Sequence, residues 1–292
     1  MNAIDLKYQI ETLYDKAIDI NVVSYKKHPV RVVQSMKSII GINPEKPSDK
    51  LLSFCSEYLS KYTRSKNNQI LKEESIPEVI TLADLELSLK AKDLKVSREN
   101  AYNLSKVSDC KHILEFLVEF SIKYDMQSFY CIWSIYKMML FLEGKDIFQN
   151  IMFCIDLLIN DIKPVYINNS ADNSLDLSKY QYNKRDIETM WIYYSIINEN
   201  LVRYENISKY IYNNSIKKFK NSIISHQSNV LDDQKLLGRG WISDYIQNID
   251  FQLINVELVL ILEACRSSLK ASNGRCDDVI WDKLNTYLNE YR

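Results

Sequence analysis

Three histidines, six cysteines and a few clustered carboxylates are the side chains of this sequence suited to nucleophilic, acid–base or metal chemistry. His28, His112 and His226 lie far apart, and no H-E-x-x-H or E-x-x-H element puts two ligands on one helix face. The spacing therefore encodes neither zincin nor di-iron chemistry. His112 stands one turn from Glu115, which reads as a helix-surface pair. The cysteines, Cys55, Cys110, Cys131, Cys154, Cys265 and Cys276, include no C-x-x-C pair. Cys131 and Cys154 fall inside long apolar runs, where a thiol packs as a small hydrophobe, so reduced core cysteines are expected. Cys110 and His112, two residues apart, would point to different sides of a helix and form no nucleophile–base pair. With no G-x-S-x-G or S-x-x-K element either, no catalytic residue is assigned and no cofactor is expected.

Asp277, Asp278 and Asp282 are the densest carboxylates. Their pattern resembles the aspartate-rich helix that holds magnesium and diphosphate in all-α isoprenoid synthases, where carboxylates on one face bridge the ions to phosphate oxygens. That resemblance implies the alternative of a helical enzyme with a magnesium/diphosphate or other small-molecule pocket. No second metal-binding motif accompanies it, and acids in a first helical turn are expected from the macrodipole alone.

Lys209, Lys217, Lys218 and Lys220 stand without an acid among them, interleaved with Tyr210, Tyr212 and Phe219. Lysines for phosphates and rings for bases would suit a single-stranded nucleic acid, which makes a second alternative. Against it, 37 basic and 38 acidic residues leave a formal charge of −1, and four lysines on one helix are ordinarily a solvated face.

The leading expectation is a non-catalytic protein that binds another protein, of the adaptor, immunity or accessory type. Leu236 to Trp241 holds two of the chain's five glycines around Arg239, followed by Trp241, a composition suited to a contact loop. The terminal segment adds Trp281 and Tyr291, large amphipathic rings of the kind enriched at interfaces.

The elements that must position these residues are helices. Five Gly and five Pro in 292 residues leave too few turn formers for hairpins, phosphate loops or a β-sandwich. The apolar spacing predicts an all-α fold of roughly ten to twelve helices, as an antiparallel bundle or irregular α-solenoid-like pairs. An N-terminal region over 1–164, a linker over 165–182 and a C-terminal region over 183–292 are expected. Predicted helix starts fall at His28-Pro29, Ser48, Thr81 with Asp84 in a capping box, Ser97, Ser108-Asp109 and Asp125. Residues 230–240 read as a polar loop. Phe129–Leu142 and Ile147–Ile159 are the most apolar runs, yet each is short and carries a charge, Lys137 or Asp156, so no membrane span is expected. The N-terminus lacks an apolar signal core, so a cytoplasmic location is expected.

Overall fold

The computed structural model describes residues 3–20, 24–63, 79–161, 175, 177, 180–181, 186–218, 220–221 and 230–291. Fourteen α-helices lie among them: α1 (Ala3–Ile18), α2 (Pro29–Ile40), α3 (Asp49–Ser60), α4 (Leu82–Lys90), α5 (Leu94–Val107), α6 (Cys110–Lys123) and α7 (Phe129–Phe141). After these come α8 (Ile147–Asp161), α9 (Ile187–Ile197), α10 (Tyr204–Lys218), α11 (Asp232–Leu237), α12 (Gly240–Asn248), α13 (Val256–Ser272) and α14 (Asp277–Tyr291). The fold is all-α. Among the described residues the one ladder is a two-residue antiparallel pairing of Tyr180–Gln181 with Lys220–Asn221. No described helix is long and apolar enough to cross a membrane.

Local chemistry explains most helix starts. Pro29 occupies the first turn of α2, where its missing N–H costs nothing, and His28 Nδ1 accepts from Val30 N at 3.2 Å. Thr81 and Asp84 form the expected capping box on α4. Asp109 accepts from Lys111 N at 2.8 Å to open α6. Two expected caps are displaced. On α5 the cap is Asp93, accepting from Val96 N at 3.0 Å, while Ser97 is buried one turn inside the helix. Asp125 does not cap α7 but turns the chain at φ 51°, and Ser128 N instead donates to Asp161 of α8 at 2.7 Å. A carboxylate brought by another helix has replaced a local one, which no local pattern announces. Ser48 precedes α3 as expected, though its hydroxyl makes no capping bond.

The helices close on one another through α2 and α13. Helix α2 packs against α1, α3 and α7, and α13 packs against both α2 and α9, so helices more than 200 residues apart share one buried apolar cluster. In a solenoid each repeat would touch only its sequence neighbours. The two charges inside the most apolar runs are paired: Lys137 Nζ lies 2.8 Å from Glu263 of α13, and Asp156 takes Arg98 Nε and Nη2 at 2.9 and 2.6 Å. Of the expected linker, most residues lie outside the described ones.

Candidate functional site

Residues 230–240, read from the sequence as a polar loop, hold helix α11, one turn and the first residue of α12. Gly238 ends α11 at φ 51°, ψ −131°, a region closed to side chains by the Cβ, and Gly240 is the first residue of α12. The glycine pair therefore serves a helix break.

Both short helices are anchored from below. Gln234 and Asn285 of α14 exchange two amide hydrogen bonds, at 2.7 and 2.8 Å, in a buried setting. Ile242 and Ile246, four apart on α12, face the core and are fully buried. Lys50 Nζ donates to the Gln247 and Ile249 carbonyls at 2.8 and 2.6 Å, holding the last turn of α12 against the start of α3.

The opposite side of α12 carries Trp241, Asp244, Tyr245 and Asn248 at helical spacing. With Asp233 and Leu237 of α11, and with Ile249, Asp250 and Leu253 after α12, these residues line a groove of about 820 Å³. Trp241 and Tyr245 are half-buried and stacked with centroids 5.0 Å apart, and Trp241 meets Trp281 edge-on at 5.6 Å. The three aspartates of the wall are exposed, as are Leu237 and Leu253. Leu231, just before α11, and Leu236 on it are exposed as well, the latter by 83%. Such a wall attracts a cation twice over, through the carboxylates and through the ring faces.

The expected contact residues separate. Trp241 lies in the groove. Arg239 is exposed at the turn before α12 and is not part of its wall. Trp281 is 2% exposed, so it supports Trp241 from beneath and offers no surface of its own, a correction that follows from α14 burying its apolar face. Tyr291 ends α14, and its side chain lies outside the described ones. Asp244, Tyr245, Asp250 and Leu253 were missed. Their signal was present as an aromatic pair four residues apart at 241 and 245, but the two glycines hid the helix.

Of the basic patch, Lys209 is half-buried on α10, and Tyr210 lies with its ring 5.8 Å from Lys123 Nζ. Lys217 and Lys218 end α10 and Lys220 lies in the ladder, their side chains outside the described ones. Asp277 accepts a hydrogen bond from the Ser272 hydroxyl, Asp278 is exposed and Asp282 half-buried. Among the described residues no three His, Cys, Asp or Glu side chains converge in a way that would hold a metal ion.

Four of the six cysteines, His28 and Glu115 are buried in the fold. Burial pushes the Cys131 thiol up to about 12 and raises those of Cys55, Cys154 and Cys265 as well, which favours the protonated thiol at neutral pH. Glu115 is not on the surface beside the exposed His112. It is fully buried, accepting from Tyr136 Oη at 3.2 Å and from the backbone N–H groups of Val202 and Arg203 at 2.8 and 3.3 Å.

His28 is fully buried, and burial lowers its pKa to about 4, with the Ile20 carbonyl pulling the other way and Arg31 adding to the depression. An unfolded chain takes up the proton near 6.5, so stability falls as the pH drops from 6.5 through 4. The loss amounts to roughly 2–3 kcal/mol. His28→Asn keeps an N-cap acceptor and removes the titration. Urea denaturation between pH 7 and 4.5 should therefore show a shallower slope of stability in the variant, and equal slopes would refute the assignment.

No family model matches the chain, and neither a curated protein nor a solved structure matches it.

Proposed function

We propose that this is a non-catalytic binding protein whose α11–α12 groove receives a segment of another protein presenting Lys or Arg beside a large apolar side chain. The observation that carries the reading is the combination of Asp233, Asp244 and Asp250 with the Trp241–Tyr245 stack and the exposed Leu237 and Leu253 in one groove. Exposed leucines grouped with aromatics are costly in water unless covered part of the time, and the carboxylates decide the sign of what covers them. The groove sits on helices pinned by Lys50 and by the Gln234–Asn285 exchange, so a partner meets a preformed surface.

Twelve-residue synthetic peptides alternating Lys or Arg with Leu or Phe should quench tryptophan fluorescence and give measurable heats, whereas the same peptides with Glu in place of the cations should not. Asp244→Lys should weaken binding about tenfold or more, because it replaces attraction by repulsion at the wall. Asp244 is exposed, so thermal stability should stay within about 0.5 kcal/mol of the parent. Equal binding of the Glu peptides, or an unaltered affinity in Asp244→Lys, would remove the proposal.

A further inference from the structure

A second concavity, remote from the groove in composition and charge, opens between α1, α2, α7 and α13 and measures about 570 Å³. Its basic lining comes from four helices: Lys7 of α1, Lys37 of α2, Lys137 of α7, and Arg266 and Lys270 of α13. Leu6, Ile10, Ile40, Leu140 and Phe141 supply an apolar lining. A volume of this size suits a small organic ligand.

Charge pairing in the pocket is incomplete. Lys7 pairs with Glu143 at 3.0 Å, both exposed. Glu263 serves two cations at once, taking Lys137 Nζ at 2.8 Å and Arg266 through Nε and Nη2 at 2.5 and 3.0 Å. Glu199 is the sole acid of the wall itself. Of the five cations, Lys7, Lys137 and Arg266 are ion-paired, through Glu143 and Glu263, and among the described residues Lys37 and Lys270 make no ion pair. Lys37 is the most telling. Among the described residues its ammonium makes no hydrogen bond or ion pair and rests over the Phe141 ring at 5.3 Å. Burial first, then the neighbouring Lys137, Arg266 and Lys270, lowers its pKa to about 8 against the pull of Glu263. A half-buried cation beside three others, with a ring face and a carboxylate already shared by two cations as its compensation, is a cost to the fold.

We propose that this pocket binds an oxyanion joined to an apolar body, a carboxylate or phosphate monoester of an alkyl or aryl group, with Lys37 and Lys270 as the free cations that receive the oxyanion. The cations that remain uncompensated make the anion specific, and the five apolar side chains make a bare inorganic ion a poor fit. The occupant is a single amphiphile rather than a bilayer surface, because Lys37, Lys137 and Arg266 are drawn in among the helices instead of ringing an exposed face.

Calorimetry and thermal shift on the full chain decide it, using decyl phosphate below its micelle concentration, decanoate, octyl phosphate, inorganic phosphate, decyltrimethylammonium and phosphatidylglycerol vesicles. Decyl phosphate and decanoate should bind and raise the melting temperature, and octyl phosphate should bind roughly tenfold more weakly, as two fewer buried methylenes require. Lys37→Met should lose about tenfold in affinity while melting higher than the parent without ligand, since the unpaired charge is gone. Lys270→Glu, at an exposed position that leaves the fold intact, should lose at least as much. Equal binding of decyltrimethylammonium, phosphate as tight as decyl phosphate, binding to vesicles alone, or unchanged affinity in both variants would each overturn the proposal.

Discussion

Glu263→Ala should cost about 3–5 kcal/mol of folding stability, a large share of the 5–15 kcal/mol typical of a folded domain. Glu263 is 5% exposed on α13 and holds Lys137 of α7 and Arg266 of its own helix, with Gln34 Nε2 of α2 donating at 3.3 Å. Removing it leaves Lys137 and Arg266 half-buried beside the already unpaired Lys37, so the penalty is uncompensated charge more than lost contacts. Glu263→Gln should recover little, because it keeps the shape and loses the charge. Burial by itself would raise the pKa of Glu263, but Arg266 and Lys137 hold it down to about 2. An unfolded carboxyl titrates near 4.5, so the stabilisation is complete above that pH and is lost as the pH falls from 4.5 through 2. The gap between parent and Glu263→Gln in urea titrations should accordingly shrink over that window. A gap below 1 kcal/mol at pH 7 would contradict the hub role.

Glu115→Ala should cost about 2–4 kcal/mol, and its effect should be concentrated in one place. The carboxylate of Glu115 ties α6 to α7 through Tyr136 and receives two backbone N–H groups at the turn that feeds α10. Truncation orphans those two donors and removes a charge-assisted bond from a fully buried position. Amide exchange at Val202, Arg203 and the first turn of α10 should accelerate well beyond that of α2 or α13. The Arg203–Glu119 ion pair and the Asn214 bond to the Ile122 carbonyl, at 2.8 Å, still hold α10 to α6, so the helix should loosen at its start rather than detach. Uniform acceleration across all helices would show that Glu115 contributes only to global stability.

Lys37 and Glu263 belong to one electrostatic cluster, and this links the largest expected loss to the amphiphile pocket. An anion seated against Lys37 and Lys270 would offset charge that Glu263, already paired with Lys137 and Arg266, compensates only in part. The groove at α11–α12 has the opposite character, acidic where the pocket is basic. Two surfaces of opposite sign on a chain of near-zero net charge are invisible to the total.

Much of the helical order was legible in the sequence. The capping box of Thr81 and Asp84, Pro29 at the start of α2 and Asp109 at the start of α6 all act within one or two turns, so neighbouring residues suffice to read them. The α7 cap was not legible, since its acceptor is Asp161, 33 residues on. The α11–α12 pair was hidden because short helices split by glycines have too little periodicity to stand out.

By itself the sequence determined an all-α chain, because scarce glycine and proline together with apolar residues at three- and four-residue spacing leave no other regular structure. Only the tertiary structure decided which charges are buried, which are paired and which are left over. Burial and pairing arise between residues such as Lys37, Lys137 and Glu263, which no window along the chain contains, and the free energy of a charge depends on that surrounding medium rather than on its neighbours in sequence.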